Sequence, residues 1–285
     1  MPVREDKLVA AQYFTAVAGF AAMRHLPTHP SAVRDRLTEI SAVIEHADEF
    51  PNNLEIPVVE YDLDEGYRAW APGYDGPNPA IEADTPVVHE ILQRAPRGRA
   101  LDAACGTGRL AAHLDGLGYG VVGVDRSEAM LDIARAKVPG ASFRTGNLLA
   151  LPVDDVSVDV VTCGLALCHV IDLEPVLAEF ARVVRPGGWV VISDIHPMAI
   201  HLGGAALFPV DTEGFELHYV PDMLHEIGEY VRAAIGAGLE IQECHEPTFV
   251  ESGIVTNPAY AVMPEAVRQA FTGLPAGIVW RLVRR

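Results

Sequence analysis

The stretch RALDAACGTGRLAAHLDGLGY (99–119), followed by VVGVDRS (121–127), decides the fold of this chain. The apolar run 100–104 has a strand's length, and Gly106 and Gly108 interrupt it before a segment of helical periodicity. A second short apolar run, 121–124, ends in Asp125, 17 residues after Gly108. Strand, glycine turn, helix and strand in that order make a βαβ unit. Small residues at the turn let the backbone approach a ligand closely, and the helix N-terminus offers unpaired amides. A carboxylate at the end of the second strand, as Asp125 is, can accept bonds from both hydroxyls of a ribose. The pattern asks for a ligand with a nucleoside. It does not choose one, because Gly106-x-Gly108-x-x-Ala111 also fits the looser dinucleotide fingerprint of nicotinamide-dependent oxidoreductases.

Outward from this unit, helices and short apolar strands alternate from Thr85 onward. Helical periods at 87–94, 108–117, 127–137 and 173–184 are interleaved with strands at 142–145, 158–163 and 189–193. Strands that are apolar at every position are buried on both faces, as in a parallel sheet covered by helices. After His196 the pattern loosens over 197–222. A helix within 221–238, a strand at 239–246, a short helix at 264–272 and a strand at 278–283 close the chain. The expected fold is α/β: a doubly wound, seven-stranded, mainly parallel sheet with the last strand antiparallel, spanning 81–285 with an insertion at about 197–222.

Residues 1–80 read as an N-terminal helical cap and connection. A first helix covers 8–26, Pro27 and Pro30 break it, and Ser31 is placed to cap a second. Val33, Leu37, Ile40, Ile44 and Ala47 build one apolar stripe on that second helix. Its partner is the first helix, the main domain or a second copy of the chain in a homodimer. Pro51, Pro57, Pro72, Pro77 and Pro79 then mark an irregular connection.

A formal charge of −18 on 285 residues repels the phosphate backbone, so nucleic acid is not an expected partner. Nine acids and no Lys or Arg lie between Arg36 and Arg68, which reads as a solvated face. Four cysteines without C-x-x-C spacing indicate neither a zinc site nor a disulfide framework, and fit a reducing cytoplasm. The run 8–23 has a charge-balanced flank and is too short to span a bilayer, so neither export nor a membrane is expected.

Five motifs in order, the first two from the stretch above, narrow the ligand: LDAACGTGRL (101–110), GVDRSEAML (123–131), GNLLALP (146–152), LALCHV (165–170) and ARVVRPGGWVVISD (181–194). With them the chain resembles the class I S-adenosylmethionine-dependent methyltransferases, a Rossmann-like group, and in particular their bacterial small-molecule enzymes. The resemblance covers about 67–248. It implies S-adenosyl-L-methionine as cofactor and a small-molecule acceptor, in specialised metabolism. It implies that Asp102, Ala104, Cys105 and Gly106 hold the methionine end and that Asp125, with Arg126, grips the ribose. Met130 would cover one adenine face and Leu148 the other side, with Cys163 at the end of the fourth core strand. Many relatives have Asp where this chain has Asn147, whose amide oxygen can still accept a bond from the adenine amino group. The segment Tyr67-x-x-Trp70-Ala71-x-x-Tyr74-Asp75 matches one that folds over the cofactor, which puts Tyr74 near its carboxylate.

Ligands of such sheets lie beyond the carboxyl ends of the strands. The acceptor is therefore expected among 163–169, 194–201 and the cap. Histidine titrates in the useful range for a base, which singles out His196 and His169, and beyond them His201 in the insertion. Asp194, His196 and His201 have metal-ligand side chains but match no known spacing, so no metal is expected. Other chemistry on the same fold, such as cyclisation with the same cofactor, remains open, as does a nicotinamide-dependent reaction.

Overall fold

The structure is a computed structural model and describes residues 4–208 and 216–285. In chain order its elements are β1 (Arg4–Val9), α1 (Ala10–His25), α2 (Pro30–Glu45), β2 (Glu55–Glu60), α3 (Leu63–Trp70), α4 (Pro79–Arg94) and β3 (Arg99–Ala103). There follow α5 (Arg109–Gly116), β4 (Gly120–Asp125), α6 (Glu128–Lys137), β5 (Ser142–Thr145), β6 (Val158–Gly164), α7 (Leu173–Val183) and β7 (Val184–Ile195). The remainder comprises α8 (Pro197–His201), β8 (Ala206–Phe208), β9 (Leu217–Val220), α9 (Ile227–Gly236), β10 (Leu239–His245), α10 (Glu251–Val255), α11 (Pro264–Phe271) and β11 (Gly277–Arg284). Two units result. One comprises 62–206, 220–247 and 275–285, and the other the described residues of 1–61, 207–219 and 248–274.

The first unit is built on a seven-stranded sheet of order β10-β11-β7-β6-β3-β4-β5. Strands β3 to β7 run parallel, while β11, the last in the chain, is antiparallel to both β7 and β10. The apolar runs explain the layering. Leu101, Ala103, Val161 and Ile192 face a core closed by Leu177 and Phe180 of α7 and Tyr230 of α9. Their neighbours Ala100, Val160 and Val191 face a second core closed by Val88 and Leu92 of α4 and Leu114 of α5. Each Leu or Phe so buried contributes roughly 2 kcal/mol by leaving water.

Two local devices set the turn after β3. Gly108 takes φ 83 and begins α5, and a Cβ there would come within 3.2 Å of the Ala134 side chain, so the helix start needs glycine. Ala104 holds φ 56, a left-handed conformation that is strained for a residue with a side chain. The chain winds from β3 outward through β4 and β5 on one side and from β6 to β7 on the other. The crevice this leaves beyond β3, β4 and β6 is the switch point of the sheet.

The second unit departs from a purely helical cap. Helix α1 buries Phe14, Val17 and Ala21 against Val43 of α2 and Ala266, Val267 and Ala270 of α11. A four-stranded sheet of order β1-β2-β9-β8 accompanies them. The segment read as a charged flank is β1, paired antiparallel with β2, and its charges suit an edge strand. Pro57 lies inside β2 but opposite Lys7, next to the stretch Val58–Glu60 that pairs in parallel with β9, so the sheet tolerates it. The boundary accordingly falls after Tyr61 rather than near residue 80, and α3 and α4 belong to the unit with the large sheet. Of the expected insertion, 209–215 lie outside the described residues; the rest forms α8, β8 and β9. The apolar stripe of α2 is only in part its buried face, Ile40 packing against the core around α1. Leu37 and Ile44 are 54% and 63% exposed, while Arg36 and Val43 are buried.

Candidate functional site

Where β3, β4 and β6 end, a cleft of about 340 Å³ opens in the sheet unit. Ala104 and Gly106 line it from the turn after β3, Asp125 and Arg126 from the end of β4, Asn147 and Leu148 from the segment after β5, and His169 from the turn after β6. Tyr67 and Tyr74, from α3 and the 3-10 turn after it, form a further wall. Of the expected cofactor residues, Tyr74, Ala104, Gly106, Asp125, Arg126, Asn147 and Leu148 are thus together on one cleft. The others stand behind it. Asp102, Met130 and Cys163 are buried in the core, and Cys105 turns its sulfur toward Gly123.

Asp125 is held by backbone amides: Gly106 N–H donates to Oδ2 and Ser127 N–H to Oδ1, each at 2.8 Å. Burial raises its pKa from the ordinary value, and the amides oppose that rise. Each oxygen so bonded keeps a second lone pair, which suits a pair of vicinal hydroxyls. Arg126 pairs with Asp64 at 2.7 Å on the same rim. Gly106, at φ 52, leaves its wall bare, since a Cβ there would stand 3.9 Å from the Tyr74 ring. Asn147 Oδ1 accepts from Leu149 N–H at 2.9 Å, so the amide is oriented by its own turn.

The aromatic segment is anchored by charge as well as by packing. Trp70 and Tyr74 meet edge to face, with ring centroids 4.8 Å apart. Asp75 accepts from Thr107 at 2.7 Å, at the glycine turn, and from Lys137 of α6 at 2.7 Å. Beneath the turn, Arg109 makes two bonds of 3.0 Å to the fully buried Asp84 of α4, which also accepts from Ser193 of β7 at 2.6 Å. Asp102 lies between Gly123 and Thr162 in the sheet register and accepts from Thr162 Oγ1 at 2.8 Å. Its Oδ2 is buried without a hydrogen-bond partner, and burial raises its pKa to about 6.

The histidines separate. His196 does not line the cleft. Its Nδ1 accepts from Met198 N–H at 3.0 Å, capping α8, and its Nε2 is 2.9 Å from Glu246 Oε1. The ring of this candidate base is thus engaged by the cap and by Glu246 and is not part of the cleft's lining. His201 is exposed and pairs with Glu226 at 3.0 Å. His169 does line the cleft, with Nε2 2.6 Å from the Tyr67 hydroxyl and Nδ1 3.6 Å from Asp222 Oδ1. Burial holds the imidazole down at about 4, so the ring is neutral at physiological pH. Tyr67 and Asp222 join the site beyond the residues expected from sequence. Tyr67 belongs to a motif visible in the sequence, whereas Asp222 falls in an aperiodic stretch with no signal. Cys168, His169 and Asp222 each bring a ligand-type atom within 4.8 Å of the others. Burial keeps the Cys168 thiol protonated, its pKa well above the usual thiol value.

A family model described as a methyltransferase domain matches residues 101–192. A probable S-adenosylmethionine-dependent methyltransferase of Mycolicibacterium smegmatis is 31% identical over 175 residues, covering 59% of this chain and 68% of that protein. The ubiquinone biosynthesis O-methyltransferase of Thiobacillus denitrificans is 31% identical over 196 residues, 64% of this chain and 82% of its own length. The chain spans about half the length of other curated relatives that it matches, 45% and 47% for two of them. A crystal structure of an S-adenosylmethionine-dependent methyltransferase from Mesorhizobium loti superposes with a TM-score of 0.54. That structure is 22% identical, and the match covers 71% of this chain and 98% of it, a likeness of fold.

Proposed function

The chain belongs to the class I S-adenosylmethionine-dependent methyltransferases, and we propose that it transfers a methyl group to an ionisable oxygen of a small-molecule acceptor. One observation carries this reading. The carboxylate suited to a ribose, Asp125, and the neutral, hydrogen-bonded pair Tyr67 and His169 line one cleft.

The residues fit the cofactor. The bare wall at Ala104 and Gly106 admits a chain passing close to the backbone, Asp125 presents lone pairs to the ribose, and Asn147 and Leu148 flank the adenine. Asp102 sits behind that wall with one oxygen unpartnered. When bound, the cofactor supplies a methyl group activated by its sulfonium. The protein's share is positioning and the exclusion of water, which the aromatic wall of Tyr67 and Tyr74, backed by Trp70, provides. Leu63, Val170, Ile171 and Pro175 on the same cleft suit an acceptor with an apolar body. An oxygen acceptor agrees with the relative that is an O-methyltransferase by name. With no framework disulfides expected, a cytoplasmic enzyme is the consistent setting.

Calorimetric titration with S-adenosylhomocysteine tests the cofactor half. Binding is expected in the wild type, with Asp125→Ala about 30-fold weaker for the loss of bonds to a charged group, about 2 kcal/mol. Absence of binding in the wild type, or binding of NAD in its place, overturns the reading. Release of S-adenosylhomocysteine from S-adenosylmethionine over a panel of phenols and enols tests the acceptor half.

A further inference from the structure

Behind the cleft, three side chains from distant parts of the sequence stand in line. Tyr67 comes from α3, His169 from the turn after β6, and Asp222 from the segment between β9 and α9. The Tyr67 hydroxyl and His169 Nε2 are 2.6 Å apart, a short bond. On the far side of the ring, Nδ1 and Asp222 Oδ1 are 3.6 Å apart, and the two side chains are only 8% and 2% exposed. Neither Asp222 Oδ1 nor His169 Nδ1 has a hydrogen-bond partner at this separation. A buried carboxylate oxygen without a donor is costly, and the imidazole and the Cys168 thiol are the donors beside this carboxyl. We propose that Tyr67, His169 and Asp222 form a proton relay that takes the acceptor's proton at the Tyr67 hydroxyl and delivers one to the Asp222 carboxylate. The relay rests on the methyl-transfer reading above and supplies its missing proton acceptor.

The transfers balance. As the acceptor oxygen bonds to the methyl carbon, its own O–H bond breaks and that proton passes to Tyr67 Oη. The former hydroxyl proton of Tyr67 moves to His169 Nε2, and the proton on Nδ1 moves to Asp222. Tyrosine and histidine end neutral, the ring in its other tautomer, and Asp222 ends protonated.

The surroundings explain why the proton passes through the imidazole. Facing the array are Tyr67 from α3, Tyr74 from the turn after it, Cys168 beside His169, Asp194 from β7 and Tyr230 from α9. Asp194 is fully buried but satisfied, accepting from the amides of Cys168 and Ile195 and from the Tyr230 hydroxyl. Among the described residues no cation acts on the ring; burial holds His169 down at about 4, against the Pro221 backbone, which raises it. Asp222 is pushed up to about 7, first by burial and then by the charge of Asp194, with the Cys168 thiol opposing. A proton leaving the acceptor therefore rests more easily on Asp222 than on the ring. The Nδ1 to Asp222 gap must close to about 3 Å for the transfer, a tightening ordinary between a free site and a loaded one. Charge relay in this literal sense does not operate where the imidazolium is the stable product. Here burial removes that product.

The test is nitrogen NMR of ring-labelled protein, with the His169 signal assigned by its loss in His169→Gln. The expected result is an Nδ1–H tautomer above pH about 7, turning into the Nε2–H tautomer as Asp222 protonates, with no imidazolium until pH about 4. Asp222→Asn should show one tautomer throughout. Formation of imidazolium near the ordinary histidine pKa, or an unchanged tautomer in the wild type, overturns the relay. So does zinc retained stoichiometrically after dialysis and lost in Asp222→Asn, since the three ligand atoms would then hold a metal. With an acceptor found in the panel, Tyr67→Phe and Asp222→Asn should each lower kcat about 100-fold and leave S-adenosylhomocysteine affinity unchanged. An unchanged kcat overturns the relay as well. Failure of the wild type to bind S-adenosylhomocysteine would sink the methyl-transfer reading and leave the tautomer result standing, so the two are told apart.

Discussion

His196 and His169 look alike in the sequence, each following the end of a core strand, and their side chains do opposite things. The ring of His196 caps α8 and reaches Glu246, while that of His169 reaches Tyr67 on the cleft. Strand ends are legible from composition, but the direction of the next side chain depends on the turn that follows. His196→Ala should therefore leave kcat unchanged and lower stability by about 1 kcal/mol through the lost cap, as thermal unfolding would record. Asp102 gives a second test at this scale. Its pKa is raised by burial from 3.8 to about 6. A carboxyl raised in the folded state contributes stability that is full below its unfolded value and lost as pH rises through its folded one. Asp102→Asn should thus gain on the wild type between pH about 4 and about 6, by up to about 3 kcal/mol in all. The gain should then stay constant at higher pH. Urea midpoints measured at about pH 4 and about pH 8 check this, and a gap that narrows with rising pH contradicts it.

At the scale of elements, the central strands of the large sheet were readable because β4, β6 and the end of β7 are mainly apolar and lie between helical periods. The strands of the smaller unit were not. β1 is a charged edge and β2 contains Pro57, and each pattern imitates a connection when its partner strand is out of view. The glycine turn depends on elements that the motif itself does not include. Asp84 of α4, itself fully buried, holds the partly exposed Arg109 of α5 and accepts from Ser193 of β7. Asp84→Ala should destabilise the unit by about 2 to 3 kcal/mol, because the partly exposed guanidinium loses its carboxylate and keeps only Thr85, while Ser193 loses its acceptor. Chemical denaturation with an unchanged m-value would establish the loss, and a shift below about 1 kcal/mol would show that the pair contributes little.

At the scale of the whole molecule, the small-molecule acceptor proposed above is in keeping with a net charge of −18 and a cleft of about 340 Å³. Among the described residues no helix is long and apolar enough to cross a membrane. Leu37 and Ile44 of α2 stay exposed in the single chain, and a homodimer through these helices is a proposal for light scattering to decide. Ligand linkage belongs to this scale too. S-adenosylhomocysteine at about 100 times its Kd should stabilise the folded chain by about 2.7 kcal/mol and raise Tm by several degrees. NAD at the same concentration should leave Tm where it was.

The sequence by itself determined the sheet class, the order of its elements and the wall of the cleft formed by Ala104, Gly106 and Asp125. Those features depend on hydrophobic period, on backbone freedom at a turn and on strand ends, all written within a few residues of one another. Only the tertiary structure decided which histidine meets the cleft and what stands behind it. Tyr67, His169 and Asp222 are far apart in the chain, and their alignment depends on how α3, the turn after β6 and the approach to α9 pack together. The tertiary structure also divided the chain after Tyr61, because the smaller sheet pairs β2 with β9 across most of the sequence. Pairing between such distant segments leaves no local period to read.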